Sequence, residues 1–427
     1  MTQRTLFNLA PSFTNRSVKA VTFQGKLDLP IHRWYRLTPS FSPKLAGDIA
    51  EEFSLTGKDF CLDPFSGVGT VPLCMKYRGI PSCSVEINPY LHFVGTVKTR
   101  TYPGLEAAKN VFHDFGAAAK RELAKLPDER HAQAWLTENV AFVPTLHNIH
   151  RWWNSGNLMQ LVLLRKLLLS DPAETVYQDL LKMGLLAILI PVSNAKHNHV
   201  SLTFADKPLP MVDVGAVLQQ KYVEMLDDLR AVANLPSANA VVYRGNSKSL
   251  TSTLPKNLEV SAIITSPPYP NRFSYARETR PHLFFFGFIE DAEAVGQLET
   301  DAIGGTWGKA TSVLSAGIEP KCEIVASLLK PYLTGIDTNG GLMAHYVTKY
   351  FNDIYDHAHE VAKVCRNGAR LAYVIGNSKF YGYPLPSDEI LANLFQHFGF
   401  KLDRIDKMRK RQSKAGLYEA VVFMTRE

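Results

Sequence analysis

No stretch of this chain is apolar for long enough to cross a bilayer. The longest apolar run, MGLLAILIPV at 183–192, falls well short of the roughly 20 residues that a spanning helix needs. The opening MTQRTLFNLAPSF lacks the apolar core of a secretory signal. Five cysteines (Cys61, Cys74, Cys83, Cys322, Cys365) are scattered with no Cys-x-x-Cys pair, which argues against both a zinc framework and a disulfide scaffold. No glycine loop is followed by Gly-Lys-Ser/Thr, so a Walker-type phosphate site is excluded. Repeats and low-complexity tracts are absent too. A soluble, cytoplasmic protein with no metal and no membrane association is expected. What is present is ordinarily globular: 46% hydrophobic and 20% charged residues, with a net charge of +7 that leans toward a polyanionic partner. At 427 residues the chain exceeds one simple core and predicts a large domain with an insertion, or two domains.

Short apolar runs that end at polar residues mark the strands. DFCL (59–62) leads into DPFSGVGT (63–70) and a helical VPLCMKYRG; IPSCSVEINP (80–89) is a second strand closing on Glu86. That is a β-turn-α-β unit with a glycine loop after its first strand. NAVVYRGNS (239–247), SAIITSPPY (261–269), ARLAYVIGNS (369–378), FKLDRIDKMR (400–409) and LYEAVVFMTR (417–426) supply the remaining strands. Between the second and third lie residues 101–238, with helical periodicity and too long for an ordinary crossover. The expected fold class is therefore α/β with a large helical insertion.

In DPFSGVGT, Gly67 and Gly69 let the backbone turn tightly and approach a ligand, and Asp63 at the strand end can accept from an ammonium group. A plain β-α turn explains the glycines equally well. What raises the motif is Glu86 at the end of the next strand, where an acid normally binds ribose hydroxyls. Pro64, Phe65 and Ser66 separate Asp63 from the first glycine, which breaks the dinucleotide fingerprint, so a nucleoside ligand without a pyrophosphate is expected. After the apolar run at 261–264, Thr265 ends a strand, because the two prolines of Ser266-Pro267-Pro268-Tyr269 cannot donate to a sheet ladder. The loop is stiff and sits where open α/β sheets bind ligands. The Ser266 side chain and the Pro267 carbonyl are acceptors suited to an exocyclic amine, and Tyr269 offers a face on which a flipped base can stack. For SPPY alone, a proline-rich turn closing a buried strand is an equal alternative.

Taken together, DPFSGVGT followed by TSPPY closely resembles the amino-methylating DNA methyltransferases, which act on cytosine-N4 or adenine-N6. The resemblance covers 30–100 and 239–427. It implies a Rossmann-like class I sheet of seven mostly parallel strands, the cofactor S-adenosyl-L-methionine, and double-stranded DNA as partner. By the same resemblance, the catalytic domain is 1–100 with 239–427, and 101–238 is a candidate target-recognition subdomain. HRWYRLTPSFSPKLAGDI (32–49) looks like the family segment that encloses the methionine end, with Phe41, Ser42 and Pro43 at its centre. The cofactor residues implied are these three with Asp63, Pro64, Phe65, Ser66, Gly67, Gly69, Thr70, Glu86 and Thr265. Asn246 is added, although relatives often carry aspartate there. Serine before Pro-Pro-Tyr is commoner in the cytosine-N4 enzymes, so cytosine is favoured over adenine. Cytosine-C5 chemistry is set aside because no cysteine follows a proline. RNA base methylation, protein-glutamine methylation and a catalytically silent DNA-binding module are the other readings.

Three further stretches bear on DNA. KMRKRQSK (407–414) carries five positive charges and no negative one, and Arg409, Lys410 and Arg411 are candidates for phosphate contact. VSNAKHNH (192–199) offers Asn194, Lys196 and His197 as a cap or a DNA-facing loop. RWWN (151–154) reads as core packing of the insertion, with base stacking the alternative. A monomer or weak dimer is expected, serving beside a restriction endonuclease or another defence system. Target reading is assigned to the insertion, with the irregular 290–335 as the second candidate.

Overall fold

The computed structural model describes residues 29–35, 37, 40–170, 175–196, 202–205, 209–337, 341–410 and 416–427, the side chains of 409 and 410 excepted. Its strands are β1 Cys61–Asp63, β2 Ser82–Glu86, β3 Ala240–Arg244, β4 Val260–Thr265, β5 Cys365–Gly376, β6 Ser378–Phe380, β7 Tyr383–Leu385, β8 Phe400–Lys410 and β9 Tyr418–Arg426. Seven form one sheet in the order β3-β2-β1-β4-β5-β9-β8, and β6 with β7 is a small separate hairpin. β1 to β5 pair in parallel; β9 runs antiparallel to both neighbours. This is the Rossmann-like sheet, seven-stranded and mostly parallel, that the motifs imply. Strand order reverses between β1 and β4, the place where such sheets hold ligands outside their carboxyl ends.

The central strands are covered on both faces, so β4 and the middles of β5 and β9 read as near-continuous apolar runs. Along β4, Ala262 and Ile264 face the cluster that holds Leu45, Ile49, Val71 and Met75, from helices Pro43–Glu52 and Thr70–Lys76. Ile263 faces the opposite way, into a cluster with Tyr350, Ile354 and Leu391 from helices Leu342–Val364 and Ser387–His397. The alternation is the two-residue period of a strand buried on both sides.

The segment between β2 and β3 is helical as expected, with helices including Leu105–Leu123, Ser155–Ser170, Thr175–Ile188 and Val214–Val232. It is not a self-contained packing unit. One continuous apolar cluster runs from Val68, Tyr90 and Val94 beside the sheet, through Phe112, Leu161, Leu181 and Tyr222, to Phe284 and Phe285. Asp228, buried on helix Val214–Val232, accepts from the backbone of Ile31 (2.8 Å), the Trp34 indole (3.0 Å) and the Arg33 guanidinium. The region 290–335 differs from the irregular reading: it holds helices Ala292–Asp301 and Lys309–Ser315, and most of a third, Glu323–Asp337. Its short helices and glycine-rich 304–308 hide the helical period. No described helix is long and apolar enough to cross a membrane.

Candidate active site

Asp63 closes β1 and turns its buried carboxylate toward β4. Oδ1 accepts from the Phe65 backbone N–H (3.0 Å) and from the Thr265 hydroxyl (2.6 Å). The second bond crosses the point where strand order reverses and joins the two loops that the sequence singles out. Burial lifts the Asp63 carboxyl from its ordinary 3.8 to about 6, partly offset by those two donors.

Beyond Asp63 the loop is stapled to β2. Ser66 donates its backbone N–H to the Val85 carbonyl (3.0 Å), and its hydroxyl pairs with that of Ser84 (2.8 Å). Gly67 donates to Glu86 Oε2 (2.7 Å), while Asn88 donates to Oε1 (2.8 Å). Glu86, also buried, rises from 4.5 to about 7 through desolvation. Both glycines have positive φ, 52° at Gly67 and 74° at Gly69. Their surroundings differ. A Cβ on Gly69 would stand 2.9 Å from the Gly95 backbone, so glycine there lets two helices approach. A Cβ on Gly67 would meet no atom within 4 Å, so that position faces open room. Thr70 begins the next helix; Pro64 is buried beneath the loop; Phe65 packs on the buried His357 ring at 4.7 Å. Two buried carboxylates and a glycine cradle match a small ligand carrying a cation and hydroxyls.

Phe41, Ser42 and Pro43 stand beside the helix that follows this loop, where the Cys74 thiol donates to the Pro43 carbonyl (3.4 Å). The Ser42 hydroxyl accepts from Leu45 N–H (3.4 Å), capping helix Pro43–Glu52, and Pro43 occupies the first turn, where its missing donor costs nothing. Phe41 packs against the cluster shared with Val71 and Cys74 of the helix after the glycine loop. Asn246 is engaged locally: it accepts from Lys248 N–H (3.0 Å) and donates to the Asp301 carbonyl (3.3 Å).

On the other side of the reversal, Ser266 is half-buried and donates its hydroxyl proton to the Val374 carbonyl of β5 (3.0 Å). That bond fixes the hydroxyl and leaves its oxygen lone pairs for an incoming donor. Tyr350 donates to the Pro268 carbonyl (2.7 Å), and the Tyr346 hydroxyl accepts from Arg272 N–H (3.1 Å). Pro267 is buried and Tyr269 half-buried. The loop is thus held from behind by β5 and by helix Leu342–Val364. Nothing along the chain marks these supports, because tyrosines on an amphipathic helix look like core. Asn88 is different. Asn-Pro after a strand is a legible helix start, and its side chain accepts from Tyr90 and Leu91 N–H while donating to Thr279.

Of the residues assigned to DNA contact, Asn194 needs correction. It is buried, donating to the Arg151 carbonyl (3.1 Å) and accepting from Leu209 N–H (2.8 Å), so it fastens the insertion internally. Lys196 is exposed; His197 and Arg411 lie outside the described residues. Arg409 and Lys410 end β8, paired with Glu419 and Tyr418. Trp152 and Trp153 are buried, and the Trp153 indole donates to the Leu189 carbonyl (3.0 Å), so the two tryptophans of RWWN are core. Among the described residues no His, Cys, Asp or Glu cluster is placed to hold a metal.

The sheet and the two loops at its reversal form a Rossmann-like methyltransferase fold. Over 433 aligned positions the chain is 25% identical to "Type II methyltransferase M.BsoBI" of Geobacillus stearothermophilus, covering 93% of this chain and 84% of that one. It is 22% identical to "Type II methyltransferase M.AvaI" of Nostoc sp. strain PCC 7120, covering 91% and 83%. No protein-family model matches the chain. Among solved structures, TrmN from Thermus thermophilus aligns at TM-score 0.30 and 9% identity over 91% of this chain and 49% of that one. The rRNA methyltransferase aviRa from Streptomyces viridochromogenes aligns at TM-score 0.32 and 9% identity over 96% of each. The chain is a methyltransferase enzyme, and the expected resemblance to the amino-methylating DNA methyltransferases is borne out by relatives that match it almost end to end.

Proposed function

We propose that the protein methylates the exocyclic amine of a base, cytosine-N4 before adenine-N6, at specific sites in double-stranded DNA, using S-adenosyl-L-methionine. The observation that carries this reading is the Thr265–Asp63 hydrogen bond, which sets the acidic cup and the SPPY loop side by side. When bound, the cofactor supplies a methyl group on a sulfonium, already activated for transfer. In this reading Asp63 accepts from the cofactor's ammonium and Glu86 from its ribose hydroxyls, supported by the open space at Gly67, where a Cβ would meet no atom within 4 Å.

The chain's own work is then positional. An exocyclic amine is a weak nucleophile because its lone pair is delocalised into the ring. The Ser266 oxygen and the Pro267 carbonyl accept its hydrogens and pull the nitrogen toward tetrahedral geometry, which localises that pair. Val374, Tyr350 and Tyr346 keep those acceptors still, and Tyr269 offers the extruded base a face. No covalent intermediate is needed. The similarity to type II methyltransferases favours service beside a cognate restriction endonuclease.

The test is to sequence DNA from cells expressing the protein with modified-base detection, and to digest it to nucleosides. 4-Methylcytosine at one recurring sequence is expected. 6-Methyladenine would overturn the base and keep the mechanism; methylated RNA with untouched DNA would overturn the substrate.

A further inference from the structure

Of the five tryptophans, Trp34, Trp152 and Trp153 are buried and Trp135 is half-buried, whereas Trp307 is 43% exposed. It does not lie on a featureless surface. The exposed Arg277 guanidinium stands over its ring at 5.1 Å. Both partners of that pair depend on one buried carboxylate, Glu299. The Trp307 and Thr306 backbone N–H groups point at Glu299 Oε2 (3.4 and 3.3 Å), and the Ser274 hydroxyl donates to Oε1. The Ser274 oxygen in turn accepts from Arg277 N–H (3.0 Å), capping the turn that carries the arginine.

The pair borders the catalytic loop. A Cβ on Gly304, three residues before the indole, would be 3.7 Å from the Tyr269 carbonyl and 3.6 Å from the Tyr346 hydroxyl, which itself holds Arg272. So the chain leaving SPPY and the 302–307 turn lie against each other, and Trp307 and Arg277 rise at their rim with exposed Arg272. A lone exposed aromatic residue is ordinary. A ring backed by a cation, and anchored through a buried acid beside the loop that receives a base, has the features of a nucleobase platform.

Resting on the function proposed above, we infer that Trp307 stabilises the opened duplex by stacking on the base left unpaired when the target is extruded, with Arg277 backing the ring. Trp307 is thus a positioning residue for base extrusion, remote from the reacting nitrogen. The ring need not bind the target itself, since Tyr269 is placed for that.

The experiment uses the full-length protein and a duplex carrying the methylated site mapped from expressing cells. Trp307→Ala and Trp307→Phe are compared with wild type on the matched duplex and on one whose target base faces an abasic position. On the matched duplex, Trp307→Ala is expected to lose about tenfold to a hundredfold in binding, the range that base–aromatic stacking supports, while Trp307→Phe retains most of it. On the abasic duplex the loss should shrink to about twofold, because no paired partner has to be left behind. Fluorescence of 2-aminopurine at the target position should fall in the alanine variant on the matched duplex only. Cofactor affinity and melting temperature should not move, which separates this role from a structural one. An equal loss on both duplexes, or none, overturns the inference. A wild type that extrudes and methylates no duplex site instead overturns the reading on which the inference rests.

Discussion

The two sides of the strand reversal are built on opposite plans. On the β1–β2 side Asp63, Ser66 and Glu86 are buried, and each is bonded to the chain's own backbone or to a neighbouring hydroxyl. On the β4 side Ser266 and Tyr269 are half-exposed, and their supports stand behind them in β5 and helix Leu342–Val364. A small cationic ligand suits a cup whose polar groups are organised in advance. A base carried on a polymer has to enter from outside, so the face that meets it stays open and rigidity comes from the rear. Substitutions on the two sides should therefore have separable consequences.

The largest effect should come from the open side. On the function proposed above, Ser266→Ala removes an acceptor for the amine, and methyl transfer should fall by about 10²- to 10³-fold, as when one preorganised hydrogen-bonding group is removed from a transition state. Tyr269→Ala should likewise lose transfer. Calorimetry should find cofactor affinity unchanged in both. A Ser266→Ala protein that no longer binds cofactor would mean that the two sides are one structural unit.

Asp63→Ala tests the closed side. On the function proposed above it removes the partner of the cofactor's cation, and it orphans the Thr265 hydroxyl and the Phe65 N–H. Cofactor binding should weaken by about a hundredfold, consistent with loss of a charged hydrogen bond worth roughly 1.5–3 kcal/mol, and chemical denaturation should show a stability loss of about 1–3 kcal/mol for the buried groups left unpaired. An unchanged dissociation constant would remove Asp63 from the cofactor site.

Acidity sharpens the contrast. Burial raises Asp63 to about 6 and Glu86 to about 7, so in the free protein both carboxylates ionise at a cost. A folded-state pKa above the unfolded value gives stability that is complete below the unfolded value and lost as pH rises through the folded one. The free protein should therefore gain stability as pH falls from 8 through 7 and 6. Cofactor affinity should move the other way, by up to about tenfold per pH unit, because the cationic ligand needs the charged carboxylates. Melting curves and calorimetry across that range read both. Parallel movement of the two quantities would contradict the assignment.

Legibility in the sequence follows the range of the interactions. Asp63, Glu86 and Thr265 are readable because each ends a short apolar run. The bond joining Asp63 to Thr265 is not, since the two are 202 residues apart. The insertion's helices are visible in their period, but a period tells which face is apolar and not what covers it, so the core shared with Tyr90, Val94 and Phe284 stays hidden. Asn194 misleads for a related reason. A polar cluster after an apolar helix looks like surface, and only the fold shows that backbone groups at 151 and 209 need that amide. Trp152 and Trp153 are legible as core because two adjacent indoles in a helical insertion have far more area to bury than to display.

The smallest effect concerns the outer end of the sheet. The last residues of β8 pair with Tyr418 and Glu419, and Glu419 also pairs with Gly376 at the carboxyl end of β5. The carboxyl end of β8 therefore lies at the same end of the sheet as the catalytic loop, three strand spacings from β4, on the order of 14 Å. That separation is too large for contact with the extruded base and suits the neighbouring backbone of the duplex. Phosphate contacts position a protein without reading sequence. Replacing Arg409, Lys410 and Arg411 with glutamine should leave the methylated site unchanged and weaken binding to all duplexes alike. The slope of log affinity against log salt should flatten by about 0.9 for each phosphate that is no longer neutralised. Exchange of exposed insertion residues, with Asn194 left in place, should instead alter which sites are methylated. If the arginine and lysine substitutions changed site choice and left the salt slope alone, sequence reading would belong to the sheet edge. The insertion would then serve the core that it shares with the catalytic domain.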